Sequence, residues 1–582
     1  MRYLSTLSDN SDKDVLDTLE EFVEAYKAWI DNKREELKNE QQKNPGLNSE
    51  LLTTELNACE KDYRRLKRNI ALLEKDVDAM AAFRTMNTAM FMQLHHSIKT
   101  EDAKKTNTTF DPDENNEDYY KNIDLGENEY GWRSFQLAFV LLNIDAFLKP
   151  PHDDNTVEDV FGTGWPERNE IADLVWFPTG GGKTEAYLGI IAFTIAYRRF
   201  TKGTQSGGTT VLMRYTLRML TLQQFQRATL LICALEVIRK DDFTLPNKLS
   251  LGDERITIGL FVGRDSLPNY WNQGDKSMVN EIQKISNSIR NNQSISTNLP
   301  FTDCPWCASD LFQTEELNNI SPNHKNHKDK YRANDQLNIA CNNEDCSFHA
   351  EEYCASEDES LPLRLFDEDI YKYPPTLLFG TVDKFAALAN KVSNASGDRN
   401  QDSKRLLGKG YKLNNLPPEL IIQDELHLLL GPLGSAVGLY EKGIDFLCTY
   451  ENDNGDKIQP KIVTSTATTR NTDKQIFALF NRRTEIFPKQ GILCDDSFFS
   501  FYKRTKDNID KYDAQRRYVG VLPIGKTQTW MQLRIISICF AHRLKFFKQK
   551  YSVQDVFTKP SVLKDLKEDF DYYHTVLSYY YS

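Results

Sequence analysis

WFPTGGGKTEAYLGI, residues 176–190, is the stretch on which the fold turns. The unbroken apolar run Leu174, Val175, Trp176, Phe177 fits a strand buried on both faces. Gly180, Gly181 and Gly182 remove Cβ atoms where the backbone must curl and its N–H groups must converge. From Thr184 onward the pattern reads as a helix. A glycine loop feeding a helix N-terminus attracts anions, because unpaired N–H groups and the helix dipole both favour phosphate. Thr179 through Thr184 therefore form the candidate phosphate loop. Lys183 reaches toward the outer phosphates, and the Thr184 hydroxyl is placed to ligate Mg²⁺. The strict pattern G-x4-GK[ST] asks for glycine where this chain has Phe177.

Outward from this loop, short apolar runs alternate with helical patterns from about residue 130. The strand candidates are LVWF (174–177), TTVLMRY (209–215), ITIGLFVG (256–263), TLLFG (376–380), LIIQDE (420–425) and KIVTSTA (461–467). Strands separated by helices predict a parallel α/β sheet. Upstream, Leu16, Leu19, Phe22, Val23, Tyr26, Trp29 and Ile30 recur at helical spacing. After the break KNPGLNSE, a second stretch runs from about Glu55 past Met92, so two long helices folded back on each other are expected. Residues 100–128 are polar and acidic and read as a linker.

LPPELIIQDELHLLLG supplies the other half of the site. Leu420, Ile421 and Ile422 form a buried strand, and Asp424 and Glu425 emerge at its C-terminal end, where open α/β sheets bind ligands. Asp424 is expected to hold the Mg²⁺ shared with Thr184. Glu425 is expected to orient or deprotonate an attacking water, and His427 to relay the state of the site to a neighbouring strand.

The insertion 265–360 carries Cys304-Pro-Trp-Cys307 and Cys341-Asn-Asn-Glu-Asp-Cys346. Two short cysteine pairs give four thiolates suited to tetrahedral Zn²⁺, with His349 and Cys354 as reserve ligands. All four positions filled means a structural site. Because the insertion is separate from the glycine loop in sequence, it is expected to leave the nucleotide site largely formed if its metal is lost. Cys233, Cys448 and Cys539 sit alone in apolar surroundings and read as core residues.

Bulk properties limit the alternatives. A chain of 582 residues is too long for one core, so roughly two to four domains are expected. A net charge of −12 argues against a generally sticky nucleic-acid binder but permits a local basic groove. No apolar run is long enough to span a bilayer, and the N-terminus lacks the apolar core of a signal peptide. No membrane partner and a cytoplasmic location are the default.

PTGGGKT, DELH and TSTATTR, in this order, resemble motifs I, II and III of superfamily-two helicases. Thr466, Ala467 and Thr468 stand where that family couples hydrolysis to movement. RYTLRMLTLQQFQR (214–227) resembles motif Ia, which implies Arg218 and Gln224 as DNA contacts. WRSFQLAFVLLN (132–143) resembles the upstream R-x-x-Q element that reads adenine, implying Arg133 and Gln136, although an ordinary amphipathic helix start reads the same way. AFRTMNTAMFMQ, IGLFVGRDSLPN, DCPWC, PPTLLFGTVDKFA and QDELHLLLGPLG extend the likeness to the helicase subunit of DISARM anti-phage systems. The resemblance implies a P-loop RecA-like fold in three parts. These are an N-terminal helical region with its linker (1–128), a first RecA-like lobe (129–475) carrying the zinc-binding insertion, and a linker with the start of an incomplete second RecA-like lobe (476–582). A motif VI arginine is not found before Ser582. The implied function is an ATP-dependent DNA helicase or translocase subunit in bacterial defence. It would use ATP, Mg²⁺ and Zn²⁺, and act on single-stranded DNA or a duplex with an end, alongside other defence subunits. The alternative is a nucleotide-gated DNA-binding scaffold or sensor that does not unwind and needs a partner chain for hydrolysis.

Overall fold

The structure is a computed structural model. It describes residues 1–106, 108, 116–123, 131–148, 167–177, 180–215, 218–240, 243–272, 276–291, 293–312, 332–333, 336–350, 358–390, 402–408, 415–429, 431–452, 455–466, 471–493, 496–501, 519–522, 524–551, 559 and 562. The chain divides into two compact units, Met1–Phe501 and Tyr502–Ser582.

The first unit opens with helices where two were expected but three form: α1 (Asp12–Lys43), α2 (Ser49–Lys75) and α3 (Val77–Thr106). Asp76 makes the difference. Its backbone N–H closes α2 on Leu72, and its carboxylate accepts from the Ala79 N–H at 2.9 Å, so one residue ends one helix and caps the next. The apolar spacing runs through this break and therefore hides it. α1 starts at a capping box between Ser11 and Asp14 and buries Val15, Leu19, Val23, Tyr26 and Ile30. α3 is buried around its whole circumference from Ala79 to Gln93. A helix of that kind lies inside the protein rather than on its surface.

Eight parallel strands form the sheet: β1 (Ile171–Trp176), β2 (Val211–Tyr215), β3 (Ile258–Phe261), β4 (Leu363–Arg364), β5 (Leu377–Thr381), β6 (Leu420–Gln423), β7 (Lys461–Thr466) and β8 (Arg483–Phe487). Their order across the sheet is β8-β1-β7-β6-β2-β5-β3-β4. The six strand candidates of the sequence are all present. β4 and β8 were not anticipated: β4 is two residues long, and β8 (RTEIF) carries polar positions that mask an edge strand. β8 lies within 476–582, which the sequence reading set after the first lobe, yet it pairs with β1 from Ile171↔Arg483 to Val175↔Phe487.

Between these strands run α4 (Ser134–Asn143, ahead of β1), α5 (Lys183–Lys202), α6 (Arg218–Lys240), α7 (Gly431–Cys448) and α8 (Thr472–Phe480). Alternate strand residues face two apolar layers, as the pleat requires. Val175, Val211 and Met213 join the core with α3, α5 and α6, whereas Leu174, Leu212 and Ile421 join the core with α7 and α8. The insertion shares the first core through Phe301, Trp306, Ile339 and Phe348. A buried charge cluster ties α2 to the sheet. The Arg65 guanidinium grips the Asp173 carboxylate at 2.6 and 3.0 Å, Lys461 Nζ reaches the same group at 2.5 Å, and Arg68 pairs with Asp145. Burial by itself would raise the Asp173 carboxyl, but Arg65 and Lys461 hold it well below its ordinary range.

In the second unit, α9 (Gln528–Lys550) begins where the Thr527 hydroxyl accepts from the Trp530 N–H at 3.2 Å. Cys539, expected in a core, is exposed on this helix, while Cys233 and Cys448 are buried. The apolar residues of this helix are spread around it, so no single face can bury them all. Among the described residues no helix is long and apolar enough to cross a membrane.

Candidate functional site

The strand order decides which chain segments meet. β7 lies between β1 and β6, so the loop leaving β1 and the acidic pair leaving β6 emerge at the same edge, two strands apart. The register aligns Trp176 with Thr466 and Thr464 with Gln423. A cavity of about 520 Å³ opens there, walled by Gly180, Gly182, Lys183, Thr184, Asp424 and Glu425, with further walls from α3, α4 and α6.

Pro178 and Thr179 lie outside the described residues. Gly180 and Gly182 adopt φ of +80° and +90°, which L side chains rarely reach. A Cβ on Gly182 would sit 2.7 Å from Gln136 Nε2. That closeness has a purpose: Gln136 Nε2 donates to the Gly182 carbonyl at 2.8 Å, and Arg133 Nη1 to the Gly181 carbonyl at 2.7 Å. The R-x-x-Q pair thus grips the glycine loop itself. Phe135 stacks on Phe177 with centroids 3.9 Å apart, fixing the strand end below. Lys183 is buried at the start of α5 and donates to the Phe177 carbonyl at 3.1 Å.

Across the cavity, Asp424 Oδ1 accepts from Ser465 Oγ, from the Glu425 N–H at 2.9 Å and from Tyr187 at 3.5 Å. Glu425 takes a left-handed backbone, φ 50° and ψ 48°. Such a conformation is costly for a non-glycine residue and persists only where neighbours enforce it. Burial, then the adjacent Asp424, push the Glu425 carboxyl upward, with Lys183 and His427 opposing. His427 Nδ1 lies 3.3 Å from Glu425 Oε2 and 3.3 Å from Thr466 Oγ1. A chain of contacts therefore runs from the end of β7 to the acidic pair. Ala467 and Thr468, the rest of that triplet, lie outside the described residues, as does the Arg218 side chain. Gln224, read from sequence as a DNA contact, lines this cavity, and its Oε1 has no partner among the described residues.

Sequence reasoning missed Glu185, Tyr187, Tyr215, Arg227 and Ser465. Arg227 forms an ion pair with Glu185 at the cavity wall. Ser465 and Glu185 adjoin residues already singled out, and Arg227 follows Gln224 by three positions, which puts the two on one helical face. Those spacings are the signals by which they could have been found.

Cys304, Cys307, Cys341 and Cys346 converge, with their sulfurs all within 4.8 Å of one another and all four residues buried. Cys307 Sγ is 3.4 Å from Cys341 Sγ, and none forms a disulfide. Four buried sulfurs at this spacing are a donor set that suits a tetrahedral thiophilic metal. His349 stands outside the set, its Nδ1 bonded to the Cys341 carbonyl at 3.0 Å, and Cys354 lies outside the described residues. The insertion is not detached from the cavity. Trp306, between the first two cysteines, stacks on His96 of α3 at 3.5 Å, and its carbonyl meets His96 Nδ1 at 2.7 Å. Gln93 and Leu94, one turn earlier on α3, line the cavity.

No family model matches the chain. It is similar to the DISARM protein DrmA of Bacillus paralicheniformis, 31% identical over 564 residues. That alignment covers 90% of this chain, which spans 43% of the length of that protein.

Proposed function

We propose that this chain, DrmA-like along nine-tenths of its length, is an ATP-hydrolysing helicase or translocase component of an anti-phage defence system that acts on DNA. The observation that carries this reading is the meeting of Lys183, Thr184, Asp424 and Glu425 at one cavity, from strands that the order β1-β7-β6 brings together. That order supports a P-loop RecA-like lobe. On this reading 1–128 is a helical N-terminal region, 129–475 the lobe with its 265–360 insertion, and 476–582 leads toward a second lobe, in a cytoplasmic protein working with other defence subunits.

The residues divide the work. Backbone N–H groups after Gly182 and the α5 dipole receive phosphate. Lys183 exchanges the Phe177 carbonyl for phosphate oxygens and offsets their charge. Thr184 and Asp424 would hold Mg²⁺, which screens the phosphates and aligns them when bound. Glu425, its carboxyl raised by burial, holds the water and takes its proton. His427 reports the state of Glu425 to Thr466. Thr179, Ala467, Thr468 and Arg218 are assigned by family resemblance, and the four cysteines are assigned to a structural Zn²⁺.

The alternative reading is nucleotide-gated DNA binding without processive movement. ATP turnover by the purified chain, with and without single-stranded DNA, separates the two. The motor reading expects DNA-stimulated hydrolysis that Lys183→Ala abolishes. DNA binding that responds to ATP with no turnover, even with defence partners added, would favour the scaffold.

A further inference from the structure

We propose that Arg227 is a second phosphate-recognising cation of this cavity, held by Glu185 until a nucleotide triphosphate displaces it. The inference rests on the nucleotide reading of the cavity and adds to it a residue to which the motif resemblance gave no role.

Glu185 is the third residue of α5, directly after Lys183 and Thr184. A carboxylate in the first turn is favoured by the helix dipole, and here it stands where the same dipole would receive phosphate. Its Oε1 is bonded to the Arg227 guanidinium, which reaches across from α6. Its Oε2 is buried without a partner among the described residues and faces the loop, 3.2 Å from where a Cβ on Gly182 would lie. Glu185 is thus an internal anion beside the phosphate loop, with half of its hydrogen-bonding capacity unmet.

The α6 side of the cavity is equally unsatisfied. Gln224 lies three positions before Arg227 on the same helical face, and its Oε1 has no partner among the described residues. Tyr215 ends β2 at the same cavity. It is 1% exposed, and its hydroxyl is directed at Asp424. An amide can rotate to turn its Nε2–H₂ toward an anion, so Gln224 can donate beside Arg227, whereas Glu185 Oε2 only accepts and repels phosphate. A guanidinium offers a planar fork of donors that matches phosphate oxygens in pairs. The Arg227 side chain remains 39% exposed, so its head is not locked by packing and can change partner. A bound triphosphate presents more negative charge than one carboxylate and draws the fork from Glu185. A diphosphate, lacking the outermost phosphoryl group, draws it less. Arg227 is thereby a sensor of the terminal phosphate supplied by the same unit that holds Lys183.

The test is equilibrium binding of ADP and of a β,γ-imido ATP analogue, each with Mg²⁺, to the 582-residue chain. Loss of a charge-assisted contact corresponds to about a tenfold or larger drop in affinity. Arg227→Ala is expected to lose that much for the triphosphate analogue while ADP binding stays within about threefold, and Arg227→Lys to recover part. Glu185→Gln removes the competing anion and is expected to tighten the triphosphate analogue several-fold, a gain that misfolding cannot mimic. Equal weakening of both nucleotides by Arg227→Ala, or weaker triphosphate binding in Glu185→Gln, would overturn the role of Arg227. A wild-type chain that binds neither nucleotide would instead overturn the reading of the cavity, and this inference with it.

Discussion

At Glu425 a strained backbone, a raised carboxyl and a histidine contact coincide on one side chain. Glu425→Gln preserves shape but cannot accept a proton. It is expected to bind ATP as wild type does and to lose about 10²-fold or more in turnover; unchanged turnover in a steady-state assay would remove Glu425 from the chemistry. A second residue matters for stability. Asp62 of α2 is buried, its Oδ2 has no partner, and burial pushes its carboxyl up to about 7 against the opposing pull of Lys489. A carboxyl raised in the folded state keeps its proton there while the unfolded chain loses it near pH 4. Stability from this group is therefore complete below about pH 4 and drains away as pH rises through 7. Asp62→Asn, neutral throughout, should stabilise the protein more at pH 8 than at pH 5, by on the order of 2–4 kcal/mol. Melting curves at the two pH values check this, and an equal effect at both would show that Asp62 is not held protonated. Lys183 and Asp424 are legible in the sequence because their chemistry is written beside a glycine loop and a buried strand. Asp62 is not, since nothing local in EKDYRR distinguishes a buried carboxylate from a solvated one.

Elements are coupled through a few polar joints. Asp173 on β1 takes charge from both Arg65 on α2 and Lys461 on β7. Asp173→Asn leaves Lys461 buried without its counter-charge and Arg65 with only Asp145 at 3.4 Å, and should cost about 3–5 kcal/mol, read from denaturant unfolding. A cost within experimental scatter would mean that water compensates the pair. The cysteine cluster acts through a second joint. One tightly held zinc per chain is expected on metal analysis, and its removal by chelation should lower the melting temperature. Because Trp306 stacks on His96, and Gln93 on the same helix walls the cavity, chelation is also expected to weaken nucleotide binding. Sequence separation led to the opposite expectation. Nucleotide affinity unchanged after complete zinc loss would restore it. The helices of this region were legible as amphipathic periodicity, but the α2–α3 break was not, because Asp76 acts through backbone geometry and leaves the apolar spacing intact.

On the scale of the molecule, every described residue that lines the cavity belongs to Met1–Phe501. A protein comprising residues 1–501 should therefore bind nucleotide with the affinity of the whole chain, and a large loss in a calorimetric titration would show that Tyr502–Ser582 contributes to the site. The sequence by itself determined the parallel α/β class, the six main strands, the glycine loop, the acidic pair and the four clustered cysteines. Each of these depends on local pattern: apolar runs for buried strands, glycines where φ turns positive, acids at a strand end, and cysteines in pairs. Tertiary structure alone decided that β8 flanks β1, that Arg133 and Gln136 hold the loop backbone, that Gln224 faces the cavity, and that Arg227 meets Glu185. The reason is physical. Side-chain partners drawn from distant segments are chosen by the order in which strands pack, and strand order follows from which faces the helices can cover, which no local pattern records.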